Sequence, residues 1–316
     1  MRLATIDLGT NTVRLLVVDV DLEGRWSVVA QDQAITRLGA GLAVSGALGA
    51  EPMTRTLRVV SAYADRARGL GAEAVRIVAT SAVREASNGR AFAAAIQAKT
   101  GRPVEIVSGA DEARLTLRGV SRGLGGLPGL TLLVDIGGGS TEYVLARDGR
   151  AVDAVSLRLG VVPLAERFPF PDRVEWARYR ELVRHVAERL AGELPPALVA
   201  PRCDRVVGAA GTPTTLAALD LALTQYDAGR VQGHVLRRAA IDRLLARLGA
   251  LSLPERAALP CLEPGRADVI IPGIAIVQAT LDRVGADALV VSDWGLREGI
   301  LVAAVEGSGD PSRAVP

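Results

Sequence analysis

The 316-residue chain predicts an α/β protein of two duplicated domains facing a cleft, each opening with a strand, a glycine-bearing turn and a second strand. Three observations predict it. Short β-branched runs alternate with longer amphipathic stretches, the pattern of interleaved strands and helices. Ile6-Asp7-Leu8-Gly9-Thr10-Asn11-Thr12 lines up with Val134-Asp135-Ile136-Gly137-Gly138-Gly139-Ser140, which points to one unit used twice. Between the copies, Gly119, Gly123, Gly125, Gly126 and Gly129 crowd around Pro128, the composition of a boundary.

Taken in order, Leu3–Ile6 and Val13–Val20 read as strands joined by Asp7-Leu8-Gly9-Thr10-Asn11, a hairpin signal, and Trp26–Ala30 adds a third. Pro52–Leu70 reads as a helix ending near Gly69 and Gly71. Val75–Ala79 is a β-branched strand, and Thr80-Ser81-Ala82-Val83-Arg84 is the loop after it. Asn88 is placed to cap a helix through Lys99 that stops at Gly101. Val104–Val107 is a strand, and a helix runs from Ser108 to about Val120. The pattern then restarts with strands Thr131–Ile136 and Glu142–Arg147. Helices are expected at Val174–Glu193, Pro213–Ala222, Leu236–Leu248, Ala267–Val284 and Leu296–Val305, with strands at Arg205–Val207 and Ala288–Ser292. The expected domains are residues 1–125 and 126–295, followed by a helix at 296–306 and a frayed tail at 307–316.

Composition narrows the function classes. Hydrophobic residues make up 49%, and 37 basic residues stand against 35 acidic ones, so neither a disordered tail nor a nucleic-acid coat is indicated. Nearly all the basic residues are arginine; this suits bidentate contact with phosphate oxygens, and it equally suits a GC-rich coding bias. Cys203 and Cys261 form no CxxC pair, and His185 and His234 sit apart in helix-like stretches. Zinc and histidine chemistry are therefore not expected. Met1-Arg2 leads straight into a strand with no signal-peptide layout, and apolar runs fall short of the ~18 residues of a membrane span, so the expected setting is the cytoplasm, with no membrane partner.

The glycine turns carry the chemistry. Without side chains at Gly137, Gly138 and Gly139, backbone N–H groups can approach an anion closely, and Ser140 adds a hydroxyl. Asp135, at the strand end, would repel a phosphate unless a hard cation such as Mg²⁺ lay between them; Glu142, returning across the hairpin, is the second candidate ligand or water-positioning group. The first hairpin offers the same device in weaker form, with Gly9, Thr10 and Asn11 as donors and Asp7 as a metal or water ligand. Gly211-Thr212-Pro213 follows a strand and opens a helix, with Thr212 as N-cap and Pro213 first inside; a capped helix and a phosphate site both fit. In Ser108-Gly109-Ala110-Asp111-Glu112, Ser108 and Asp111 resemble a capping box. Glu112 is turned ~100° from Asp111 by the helical twist, free to act as a base or to remain a solvated first-turn carboxylate. Arg84 is either a phosphate clamp or a plain surface arginine.

Read together, Ile6–Thr12, ATSAVREASN at 79–88, SGADEARL at 108–115, VDIGGGSTE at 134–142, GTPTTL at 211–216, RADVIIPGI at 266–274 and SDWGLREGIL at 292–301 resemble the exopolyphosphatase and guanosine-pentaphosphate phosphohydrolase (Ppx/GppA) family. They span nearly the whole chain in family order. The resemblance implies two ribonuclease-H-like domains of the actin and sugar-kinase superfamily around a cleft, with the last helix packing back on the first. It implies Glu112 as general base and Asp135 and Glu142 as metal- and water-positioning carboxylates, assisted by Asp7. Arg84, Asn11 and Gly137–Ser140 become the phosphate grip. It also implies Mg²⁺ or Mn²⁺ as cofactor and a homodimer. Asp111 departs from the second glutamate common in the family, and the chain stops where long members carry a further helical region, which favours shorter polyphosphates or a dimer-built channel. Hydrolysis of terminal phosphate from inorganic polyphosphate leads; guanosine pentaphosphate hydrolysis, a kinase of the same superfamily and a non-catalytic polyphosphate or nucleotide sensor are the alternatives.

Overall fold

A computed structural model describes residues 1–21, 23–199 and 202–308; of the tail expected at 307–316, residues 307 and 308 continue the last helix and 309–316 lie outside the described residues. The chain forms two compact units, Met1–Gly119 with the chain from Gly295 onward, and Val120–Trp294.

The first unit runs β1 (Arg2–Leu8), β2 (Thr12–Val20), β3 (Trp26–Ile35), α1 (Leu42–Ser45), α2 (Ala50–Gly69), β4 (Ala74–Ala79), α3 (Ser81–Glu85), α4 (Gly89–Thr100), β5 (Val104–Ile106) and α5 (Gly109–Gly123). Its sheet has the order β3-β2-β1-β4-β5, antiparallel from β3 to β1 and parallel from β1 to β5. β1 is buried on both faces, so Thr5 and Asp7 are shut away from water along with Leu3, Ala4, Ile6 and Leu8. Ile6, Leu8 and Leu15 face Val60, Phe92 and Ile96 of α2 and α4.

The second unit runs β6 (Leu130–Ile136), β7 (Thr141–Arg147), β8 (Arg150–Leu157), α6 (Val161–Arg167), α7 (Trp176–Glu193), α8 (Pro196–Val199), β9 (Arg205–Ala209), α9 (Gly211–Asp220), α10 (Ala228–Val231), β10 (Val235–Arg237), α11 (Arg238–Gly249), α12 (Leu253–Ala257), α13 (Ile270–Val284) and β11 (Ala288–Val291). Its sheet order is β10-β11-β9-β6-β7-β8. Leaving out β10, the strands β8-β7-β6-β9-β11 repeat the order and directions of the first sheet, the arrangement expected of a duplicated ribonuclease-H-like unit. Leu132, Val134 and Ile136 pack with Leu182, Val186 and the buried α13.

α14 (Leu296–Ser308) belongs to the first unit, where Leu301 joins Leu3, Leu16 and Val18, and Ile300 joins Val78 and Val107. Its approach to α5 is close. A Cβ on Gly119 would lie 2.0 Å from the Gly295 carbonyl oxygen, and one on Gly299 would lie 1.8 Å from that of Leu115. Gly119, which reads as part of a boundary loop, is thus a helix-packing glycine inside α5, and the units divide there rather than at 125.

Several local readings change. Residues 81–85 form a short helix, not a loop. Asn88 does precede α4, but its side chain makes no cap; it accepts from Leu48 N–H and donates to Leu48 C=O, both forty residues away. β8 and α6 have no counterpart in the sequence reading, although Asp148-Gly149 with positive φ at both residues is a strong hairpin signal. Among the described residues no helix is long and apolar enough to cross a membrane.

Candidate active site

In the second unit, β6 carries Asp135 to its end and β7 starts back beside it, so that Asp135 and Glu142 are directly opposed in the antiparallel register. Opposed residues hold their Cβ atoms ~5 Å apart on one face of a sheet, where like charges repel. Both carboxylates are buried, with 9% and 2% exposure, so water screens the repulsion poorly. On the other side of β7, Ser156 of β8 is the register partner of Glu142 and donates its hydroxyl to Glu142 Oε1 at 2.6 Å. Asp135, Glu142 and Ser156 therefore form one row across three strands.

The donors of this row are hard oxygens, which fits Mg²⁺ or Mn²⁺ better than a soft metal. Among the described residues no group of three or more His, Cys, Asp or Glu side chains could hold a metal. Within the second unit, a cation at the Asp135–Glu142 pair would take its remaining ligands from water and substrate oxygens, as Mg²⁺ commonly does. The glycine turn follows at once. Gly137 N–H donates to the Ser140 carbonyl at 2.9 Å, and a Cβ on Gly137 would meet that same oxygen at 2.9 Å. Ser140 is buried beside it.

The third glycine loop differs from its reading. α9 starts at Gly211, so Thr212 and Pro213 are its second and third residues rather than cap and first residue. The residue before the helix is Ala210 at φ 69°, a conformation that costs an alanine of order 1 kcal/mol or more. No side chain caps this end. Thr214 Oγ donates back to the Ala210 carbonyl at 2.9 Å, and Thr212 packs on Gly273. The Arg266 guanidinium, ion-paired to Glu263 at 2.8 Å, lies against Gly211.

In the first unit the equivalent turn has the same backbone: Gly9 N–H donates to the Thr12 carbonyl at 3.1 Å, and a Cβ on Gly9 would meet that oxygen at 2.9 Å. Thr10 and Asn11 are buried, and Asn11 Oδ1 has no hydrogen-bond partner among the described residues. The register partner of Asp7 is Arg14, and their side chains pair at 3.4 Å. Burial pushes the Asp7 carboxyl above its usual range, and Arg14, then Arg297 of α14, pull it back.

Glu112 lies in the first turn of α5 with 7% exposure. Arg84 of α3 donates to Glu112 Oε2 at 2.8 Å and to the Val107 carbonyl at 3.0 Å. The solvated reading of Glu112 and the plain surface reading of Arg84 both fall away: each is anchored by the other. Ser108 makes half of the expected box, accepting from Asp111 N–H at 3.1 Å and donating to Asp111 Oδ2 at 2.6 Å.

Sequence reasoning missed Arg14, Ser156 and Arg266. Arg14 had a signal, since it follows Asp7 by the interval that separates Glu142 from Asp135. Ser156 had none, because a strand two over brings it in; Arg266 opens the RADVIIPGI segment, but only the fold lays its guanidinium against Gly211.

The family model for the "Ppx/GppA phosphatase family" matches residues 16–307. The chain is 36% identical to Exopolyphosphatase 2 of Mycobacterium tuberculosis over 96% of this chain and 98% of that protein. It is 32% identical to a guanosine-5'-triphosphate,3'-diphosphate pyrophosphatase of Vibrio vulnificus, over 94% of this chain and 58% of that longer protein. Among solved structures, the Aquifex aeolicus member of the Ppx/GppA family superposes with a TM-score of 0.82 at 33% identity, covering 98% and 99% of the two chains. An exopolyphosphatase from Cytophaga hutchinsonii superposes with a TM-score of 0.90 at 28% identity, covering 97% and 98%. With its motifs in order and near-complete coverage, this chain belongs to the Ppx/GppA phosphatase family.

Proposed function

We propose that the chain is an exopolyphosphatase: a phosphoanhydride hydrolase that removes terminal phosphate from inorganic polyphosphate with Mg²⁺, or Mn²⁺, as cofactor. The observation that carries the reading is the opposed, buried Asp135–Glu142 pair beside a glycine turn. Two carboxylates next to an anion site make sense when a divalent cation accompanies the substrate, and that cation, when bound, neutralises phosphate oxygens.

The protein's own groups then divide the work. Gly138, Gly139 and Ser140 hold the terminal phosphoryl group on a turn closed by Gly137, and Thr10 and Asn11, on the equivalent turn closed by Gly9, offer a second set of donors. Gly211 and Thr212 at the uncapped end of α9 offer a third, with Arg266 beside them. Glu112, held by Arg84, takes a proton from the attacking water. The water oxygen bonds to the terminal phosphorus, the bridging P–O bond breaks, and its electrons leave on the shortened chain; orthophosphate is released. Phosphoryl transfer asks a protein mainly for positioning and charge stabilisation, which this donor-rich arrangement supplies.

Phosphate release from tripolyphosphate, medium and long polyphosphates and guanosine pentaphosphate, with and without Mg²⁺, tests the reading. Metal-dependent release from polyphosphate is expected. Faster release from guanosine pentaphosphate would move the chain to the activity in the Vibrio relative's name. Tight metal-dependent binding without turnover would make it a sensor. Glu112→Gln should lower kcat by ~10²–10⁴ with substrate binding retained; wild-type turnover in that variant ends the base assignment. The same reading includes a cytoplasmic homodimer, checked by light scattering and cell fractionation.

A further inference from the structure

We propose that the first turn of α6, through Gly160 and the amides of Val161 and Val162, aims the glycine turn at the anionic substrate, which makes Gly160 a positioning residue. The inference rests on the phosphohydrolase reading above and goes beyond its donor set. Three successive glycines can adopt many peptide orientations, so their presence alone does not direct any N–H group. None of Gly137, Gly138 and Gly139 has positive φ, so the run is not required by backbone conformation either. The direction comes from outside the turn.

Val161 N–H donates to the Gly137 carbonyl at 3.2 Å, and Val162 N–H donates to the Gly138 carbonyl at 2.9 Å. In a trans peptide the carbonyl and the following N–H point opposite ways, and the chain has no cis bonds among its described residues. Fixing these two carbonyls toward α6 therefore turns the N–H groups of Gly138 and Gly139 away from it, side by side. Neither amide donates to a backbone carbonyl among the described residues. Adjacent amides aimed one way form an anion-binding nest. The amides of α6 are themselves spent on the turn and compete for nothing.

Gly160 is what allows this approach. Its own backbone is ordinary, at φ −107° and ψ 162°, a conformation open to any residue. A Cβ there would lie 2.3 Å from the Gly138 carbonyl oxygen and 2.4 Å from Gly139 Cα, both backbone atoms that cannot swing aside. The first unit contains the same device. Gly39 N–H holds the Thr10 carbonyl at 2.9 Å, and Thr36 and Arg37 N–H hold that of Asn11, which turns the Asn11 amide outward; a Cβ on Gly39 would strike Thr10 Cγ2 at 2.3 Å.

Two variants and one spectrum test it. Val161→Pro deletes the N–H that holds Gly137, at the first helical position and after an extended residue, where proline is tolerated. Gly160→Ala pushes the turn off α6. KM for tripolyphosphate should rise ~10-fold in Val161→Pro and further in Gly160→Ala, with kcat changed less and the melting temperature of Val161→Pro nearly unaltered. In ¹⁵N-labelled wild type the Gly138 and Gly139 amides should shift on titration with orthophosphate, and Val161→Pro should blunt both shifts. Unmoved amides in the wild type overturn the proposal even if both variants fail to fold, as does a wild-type KM in folded variants. Shifting amides in a chain that hydrolyses nothing would instead sink the hydrolase reading and leave the positioning role standing.

Discussion

The hairpins β1–β2 and β6–β7 share a turn, a register and a place in their sheets, yet opposite each aspartate they carry opposite charges. Asp7 faces Arg14, whereas Asp135 faces Glu142. In the first unit the protein supplies its own counter-charge to a buried carboxylate. In the second it places two carboxylates face to face and gives one a serine hydroxyl. A repeated backbone thus does not repeat its charges; the residue across the ladder decides whether a buried aspartate meets an arginine or a second carboxylate.

The contrast can be broken first at Glu142. Glu142→Gln leaves Asp135 without its like-charged neighbour; metal-stimulated phosphate release should fall by ~10³ or more, while thermal stability holds or rises, because an opposed like charge has gone. Retained activity with unchanged Mg²⁺ dependence would remove the pair from the site. Arg14→Glu copies the second unit's charges into the first. It should lower the melting temperature by several degrees, about 2–4 °C per kcal/mol lost, and added Mg²⁺ should not restore activity to the Glu142 variant. Ser156→Ala should cost ~10-fold in kcat with little change in melting temperature, and Ser156→Thr, which keeps the hydroxyl, should recover most of it. A pH-independent loss of stability in place of the kcat effect would make Ser156 structural only.

The smallest expected effect sharpens the first unit alone. Burial raises the Asp7 carboxyl above its unfolded value, so between the unfolded and folded pKa the native state binds more protons. Stability from this group therefore falls as pH rises through that window and is recovered as pH drops. Asp7→Asn should flatten that part of the stability profile and gain a degree or two above it. A stability difference between the two proteins that shrinks as pH rises above the ordinary aspartate range would contradict the sign.

How much could be read beforehand follows the reach of the interactions. Asp135 and Glu142 were legible together because a tight glycine turn returns the chain within seven residues. Thr212 and Pro213 were misplaced because α9 begins at Gly211, behind an alanine in a conformation that propensity disfavours. Asn88 looked like a cap by type and position, but a backbone forty residues away offered it better partners. Arg84 and Glu112, each ambiguous alone, became definite only as a pair.

The amino-acid sequence by itself determined the two glycine turns, the strands around them and the acidic residues at their mouths, because a missing Cβ, an apolar alternation and a charge act over a few residues. Only the tertiary structure decided what stands across from each aspartate on the ladders, which segment holds each turn's carbonyls and which way the freed amides point. Those outcomes depend on strand pairing and on backbone brought from elsewhere in the chain, as Gly160 is to Gly138, and a local pattern carries no record of its distant partner.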